Sequence, residues 1–340
     1  MTMNKTIAAF GEVMMRLEVP NYELLSQANQ LHYSFSGTGV NIASSLAKFG
    51  YRGLVVTSLP DNSLGDAAIA FLNKLAIDTR YVSQHGNYIG KYFLEQGFGP
   101  RASKVTYSNR IESSFHTASA DHYNFEEIAQ NCDLLHFCGI SLAMNDNVRQ
   151  HVKELASIMK QQGKMVLFDC NFRPNLWGKD GNKKAKKHYV EMLKLADITI
   201  MNEKDAMLTL GLTTKETDRR KQLEDLIPKI AKHYQISVIA GTNREILANN
   251  QHAIEGYIYK NGRMYFSDSR AFPVLDRIGA GDAYTAGIIH GEFQAYPPEK
   301  ALSFAITSSV LAHTTKGDTP LATEKDILRL IEQGSTDIER

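Results

Sequence analysis

What most limits the fold of this chain is a repeated exchange of two periodicities, in which short apolar, β-branched runs alternate with helix-length segments. Residues 6–13 read as a buried strand, 40–49 as a helix, 53–58 as a strand and 64–75 as a helix. The pattern resumes with strands at 133–137, 164–169, 196–201 and 236–240, and with a helix at 147–162. Asn124 stands three residues before Glu127, a helix-start signature in which a side chain caps the first turn. Strands and helices in this order predict an α/β fold, a doubly wound, mostly parallel sheet with helices on both faces. In such a sheet ligands gather outside the carboxyl ends of the strands.

One stretch departs from the alternation. Residues 81–115 carry no helical period, yet 88–96 and 104–110 read as strands joined through Gly97-Phe98-Gly99-Pro100. With 31–35 they predict a small antiparallel sheet standing apart from the main one. It would be drawn from about 14–36 and 81–118 within a single 1–340 unit, as a lid, a dimer contact, or both.

Composition narrows the classes of partner. With 340 residues, 43% of them hydrophobic, the chain can bury a sizeable core. Its 38 Lys and Arg against 37 Asp and Glu create no field that would select nucleic acid. Lys183, Lys184, Lys186 and Lys187 read as a solvated helix face. Cys132, Cys138 and Cys170 have no CxxC spacing, which fits buried thiols in a reducing cytosol. No signal-like segment opens the chain, and no apolar run approaches the roughly 18 residues of a membrane span. The expectation is a cytoplasmic protein with no membrane partner.

Chemistry concentrates in Asp276-Arg277-Ile278-Gly279-Ala280-Gly281-Asp282, which runs directly into the helix-like Ala283-Tyr284-Thr285-Ala286-Gly287. Gly279, Ala280 and Gly281 allow a tight, open turn. The free N–H groups of a helix start, together with the positive end of its dipole, then form an anion site. Asp282 inside that positive turn could accept a proton from a substrate hydroxyl while the turn amides hold developing phosphate charge. The plainer alternative is a Gly-rich loop in which Asp282 only caps the helix.

On these residues, and on Gly37-Thr38-Gly39-Val40-Asn41-Ile42-Ala43 near the N-terminus, the chain is identified as a member of the ribokinase-like (PfkB) family of carbohydrate kinases. Within the family it is most similar to the 2-keto-3-deoxygluconate kinases. That likeness rests on Gly11-Glu12-Val13-Met14-Met15-Arg16-Leu17, Leu59-Pro60-Asp61-Asn62, Tyr92-Phe93-Leu94-Glu95, Ser103-Lys104-Val105, Asp169-Cys170-Asn171-Phe172-Arg173-Pro174 and Gly317-Asp318.

The resemblance implies an ATP-dependent phosphotransferase acting on the primary hydroxyl of a sugar acid, with Asp282 as base and Gly279, Ala280 and Gly281 as anion hole. Gly37, Thr38, Gly39 and Asn41 would cradle the sugar hydroxyls, although many sugar-acid kinases carry a glutamate at the place of Gly39. Tyr92 and Asp318 would hold the substrate, while Arg110 and Arg173 would read its carboxylate, since arginine offers planar bidentate donors. Arg173 would also reach the nucleotide phosphates. Tyr107 lies three residues before Arg110 where related kinases have two, so either a bulge restores its aim or Ser108 lines the site. On the nucleotide side the resemblance implies Gly241 and Thr242 at the triphosphate, adenine near the 302–314 helix, and Mg2+ held through water by Asn202 and Asp205. The second glycine of the triphosphate loop is absent, with Asn243-Arg244 in its place. Related kinases often pair through their lids, implying a homodimer or higher homo-oligomer.

Other readings stay in view. Gly37-Thr38-Gly39 resembles part of a dinucleotide fingerprint, but Ile42 stands where the third glycine belongs. A sugar sensor on the kinase fold would not need Asp282 as a base. Fructokinase is the nearest enzymatic alternative, and a neutral ketose does not require paired arginines.

Overall fold

The computed structural model describes residues 5–247 and 251–334. Its larger sheet is built from β1 (Thr6–Phe10), β4 (Arg52–Leu59), β5 (Val82–Gln84), β8 (Leu134–Cys138), β9 (Met165–Asp169), β10 (Ile198–Ile200), β11 (Val238–Ile246), β12 (Gln251–Lys260), β13 (Arg263–Phe266) and β14 (Arg270–Pro273). The smaller sheet consists of β2 (Met14–Glu18), β3 (His32–Ser36), β6 (Lys91–Glu95) and β7 (Lys104–Ser108).

Strands β11, β10, β9, β8, β1, β4 and β5 lie side by side in that order, each neighbouring pair parallel. They read as near-continuous apolar runs because helices cover both faces. The strand period of two divides each of them between two cores. Ala8, Phe10, Leu135, Phe137, Val166 and Phe168 enter one, and Ile7, Ala9, Leu134 and Leu167 enter the other. The helix Ala280–Phe293 is apolar on nearly every side and buried between Thr38–Lys48 and Pro298–Ala312. Gly287 permits the last approach, since a Cβ there would sit 2.5 Å from the Ala305 Cα.

Three sequence expectations need correction. The 6–13 strand ends at Phe10, and Gly11-Glu12-Val13 carry the chain out of the main sheet into β2, a separate lid strand. The lid sheet, ordered β3-β2-β6-β7, is not wholly antiparallel, because β2 pairs with β6 in parallel. The long passage through β4 and β5 between them lets the chain re-enter in the same direction. The strand expected at 236–240 is longer, continuing as β11 to Ile246 in an antiparallel ladder with β12. Elsewhere local signals hold. Asn124 accepts from the Glu127 amide at the start of Phe125–Asn131, and Lys183, Lys184, Lys186 and Lys187 are exposed. All three cysteines are buried and free. Among the described residues no helix is long and apolar enough to cross a membrane.

Candidate active site

The Gly279 backbone takes a positive φ of 82° and caps the helix Ala280–Phe293. A side chain there would overlap the Asp318 carbonyl, whereas a Cβ on Gly281 would meet nothing within 4 Å, so the turn has free space over it. Asp282 is only 9% exposed and accepts from Asn41 Nδ2 at 2.7 Å. Burial pushes its carboxyl up to about 6, against the Asn41 hydrogen bond and the Arg173 charge. Asn41 Oδ1 is buried without a partner, which leaves one acceptor beside Asp282.

The turn before Asn41 presses on the end of β1. A Cβ on Gly37 would overlap the Glu12 carbonyl, and one on Gly39 would lie 3.3 Å from the Ala9 carbonyl oxygen. Gly39 thus packs closely on β1, and a larger residue there would make the Ala9 backbone give by a few tenths of an ångström. Burial pushes the Cys138 thiol at the end of β8 up, and the neighbouring Thr38 side chain opposes that shift.

In the lid, Tyr92 and Tyr107 stand directly opposite on the antiparallel β6–β7 ladder and share a face, with ring centroids 6.1 Å apart. Ser108 pairs with Lys91 on the other face. No bulge is needed to aim Tyr107. The extra residue before Arg110 is absorbed at Asn109, whose φ of 54° reverses the chain just past β7. Arg110 then lies over the Tyr107 ring at 5.1 Å and donates through Nε to Glu12 at 2.7 Å. Burial alone would raise the Glu12 carboxyl, but hydrogen bonds and charge from His116 and Arg110 hold it below its ordinary range. Tyr92 is buried, Tyr107 is 56% exposed.

Asp318 meets Tyr92, whose hydroxyl donates to its carboxylate and also bonds Ser36 at 2.9 Å. It is bound as well by Arg16, a residue that the sequence did not single out. Arg16 is 1% exposed and reaches Asp276 at 2.9 Å and Glu18 at 2.7 Å. Asp276 in turn accepts from the Arg277 and Ile278 amides at 2.7 and 3.2 Å. The one available signal was positional. Arg16 alternates with Met15 and Leu17 along β2, and a charge on a strand's core side demands partners.

On the side where the sequence reading expects the nucleotide, Asp169 ends β9 and is a second residue to which that reading gave no role. Burial and then the Asp282 charge push its carboxyl up to about 8, with Arg173 opposing. Asp205 rises to about 7 through burial and Glu203, again with Arg173 opposing. Arg173 itself is exposed. Asn202 and Asp205 cap one another, Asn202 N donating to Asp205 at 2.9 Å and Asp205 N to Asn202 Oδ1 at 3.1 Å. Gly241 packs under the Met201 carbonyl, and the Thr242 carbonyl accepts from Arg219 at 3.3 Å. Beyond them a groove of about 270 Å³ runs between Tyr265–Arg270 and the face of Pro298–Ala312 that carries Leu302, Ser303 and Ile306.

A doubly wound sheet, a small strand lid and a buried carboxylate in a helix-start turn define a carbohydrate kinase of the ribokinase-like kind. The sequence profile of the pfkB family carbohydrate kinases matches residues 4–325, and the chain belongs to that family. A solved structure from Enterococcus faecalis, provisionally assigned as a 2-keto-3-deoxygluconate kinase, superposes with a TM-score of 0.94 at 38% identity over 99% of both chains. The 2-dehydro-3-deoxygluconokinase of Thermotoga maritima superposes with a TM-score of 0.91 at 29% identity, over 96% of this chain and 99% of that one. The 2-dehydro-3-deoxygalactonokinase of Haloferax volcanii is 24% identical over 338 residues, 99% of this chain and 100% of the relative. The protein is thus a phosphotransferase with an alcohol acceptor, a sugar kinase similar to the 2-keto-3-deoxygluconate kinases.

Proposed function

We propose that the protein transfers the γ-phosphoryl group of ATP to the primary hydroxyl of 2-keto-3-deoxygluconate, forming the 6-phospho product. The observation that carries this reading is the Asp282 carboxylate, buried behind the Gly279–Gly281 turn and held by Asn41. A carboxyl raised to about 6 is a stronger base than an exposed aspartate and is still mostly ionised near neutral pH.

Asp282 takes the hydroxyl proton as the oxygen attacks the γ-phosphorus in line, and the bond to the departing ADP breaks. The Gly279, Ala280 and Gly281 amides stabilise charge on the phosphoryl oxygens, where catalysis of this transfer mostly resides. Arg110, its Nε held by Glu12, keeps its terminal nitrogens for the substrate carboxylate. Arg173, whose charge already acts on Asp282, Asp169 and Asp205, serves the substrate and the nucleotide phosphates. Tyr92, Tyr107, Asn41 and Asp318 orient the sugar, with Gly37 and Thr38 at its back. Closure of the lid excludes water and limits idle hydrolysis of ATP. The groove at Leu302 and Ile306 accepts the adenine, and Gly241 and Thr242 approach the triphosphate.

Mg2+ fits the charge of the site. Buried Asp169 and Asp205 carboxyls held above their ordinary range, with Arg173 opposing, favour an added cation. Among the described residues no three His, Cys, Asp or Glu side chains converge to ligate it directly, so Asn202 and Asp205 would hold it through water. When bound it neutralises charge on the phosphate oxygens.

An ADP-release assay with 2-keto-3-deoxygluconate, its galactonate epimer and fructose tests the reading. We expect the sugar acids to turn over at least tenfold more efficiently than fructose. Preference for fructose would make the protein a fructokinase, and binding without turnover would make it a sensor.

A further inference from the structure

Two arginines on the nucleotide side have no carboxylate to answer them. Arg244 stands on β11 and Arg277 on the segment entering the Gly279 turn. Both are exposed, and among the described residues neither side chain has a hydrogen-bond or ion-pair partner.

The β11–β12 register fixes where Arg244 points. Thr242 lies opposite Gly256, Arg244 opposite Ile254 and Ile246 opposite His252, so Thr242, Arg244 and His252 share one face of the hairpin. That face packs on Pro298–Ala312, since Ile254 belongs with Leu302 and Ile306 in one core. The His252 ring meets His313 at 6.2 Å. The His313 carbonyl accepts from the Leu275 and Asp276 amides at 2.9 and 3.3 Å, which brings Arg277 to the same place.

Both histidines are buried, and His252 Nδ1 and His313 Nε2 have no partner. Burial, followed by the nearby arginine charges, holds both rings below their ordinary range. Partial burial of this otherwise exposed side chain, and then the Arg277 charge, do the same to the Arg244 guanidinium. Two like charges held together over neutral rings are unfavourable until an anion sits between them. Thr242 lies opposite Gly256, which packs on Ile306 and Leu302 beside the groove, and Arg277 stands two residues before Gly279 at the other end.

We propose that Arg244 and Arg277, with the Thr242 hydroxyl, form a clamp for the polyphosphate of the nucleotide. Guanidinium forks match phosphate oxygens bidentately, and Arg244 does so from the strand position where the second glycine of the triphosphate loop is absent. The clamp rests on the kinase reading and adds a site of selection for triphosphate over monophosphate.

Titration calorimetry of the full chain with ATP, ADP and AMP tests this in Arg244→Gln, Arg277→Gln and the double variant, beside the KM for the sugar. Each single change should weaken ATP ten- to a hundredfold, roughly the worth of one charged hydrogen bond, and leave AMP and the sugar KM within about twofold. The wild-type ATP affinity should also fall more steeply with salt than that of the double variant. Unaltered ATP affinity, or equal losses for ATP and AMP, would overturn the clamp while leaving the kinase intact. A wild-type chain that binds no ATP would sink the kinase reading and the clamp with it.

Discussion

The Arg16 guanidinium, on the lid strand β2, lies 2.9 Å from the carboxylate of Asp276, which opens the anion turn. The same guanidinium binds Asp318, and Ile278 of the turn packs against Met14, Tyr92 and Leu94 of the lid. Lid and turn are therefore joined by charge and by apolar contact, and Asp276 fixes the turn's first amides from within that joint.

Arg16→Met should destabilise the protein by about 3–5 kcal/mol, because three carboxylates lose their shared cation and two of them are buried. Urea unfolding measures it. A loss below about 1 kcal/mol would show that the carboxylates find protons or water instead.

Asp282→Asn keeps the shape and removes the proton acceptor, so turnover should fall by about 10² to 10⁴ with sugar KM largely kept. The ionised form is the active one. With its carboxyl raised to about 6, kcat/KM should decline as pH drops through that value. A variant retaining a tenth of wild-type turnover, or a profile flat from about pH 5 to 7, would remove Asp282 as the base.

Asp169, raised to about 8, should cost the unliganded fold stability as pH rises. The sign follows from proton binding. Between an ordinary carboxyl pKa of about 4 and the raised value, the folded state holds a proton that the unfolded chain has released, so its share of stability is lost with increasing pH. The Tm advantage of Asp169→Asn over wild type should accordingly grow from pH 5 to 8. A constant or shrinking difference would show that Asp169 is ionised in the fold throughout.

Arg110→Ala should raise the KM for a sugar acid ten- to a hundredfold, from the loss of one charged donor of roughly 1.5–3 kcal/mol. A substrate without the carboxylate should hardly notice. Equal losses would assign Arg110 to lid shape, through its contacts with Glu12 and Tyr107.

Away from the Tyr92–Tyr107 face, the lid region carries Tyr22, Tyr33, Tyr88, Phe98 and Ile111 exposed, more apolar surface than a thin sheet covers alone. We expect a second copy of the chain to cover it, with light scattering giving at least twice the 38.0 kDa chain mass at micromolar concentration. A fully active monomer would end that proposal.

Much of this could be read from local signals. The exchange of periodicities located the strands of the parallel sheet, and Asn124 marked its helix start. The 276–282 motif identified the turn because its residues are contiguous. Tyr107 shows the limit. Counting from Arg110 predicts a bulge or a switch to Ser108, but the count cannot show that Asn109 takes a positive φ. The end of β1 was hidden for a similar reason, since Gly11-Glu12-Val13 look like its continuation until the chain leaves the sheet.

By itself the sequence determined the layers of the fold, the family and the turn that holds Asp282, since these depend on periodicity and on neighbours along the chain. Tertiary structure alone decided what surrounds that turn. Asn41 and Asp282 are 241 residues apart, and Arg16 and Asp318 are 302 apart. Partners so distant meet only once the sheet order is set. Burial then removes the water that would otherwise satisfy them, so each charge depends on whichever residue the fold brings to it.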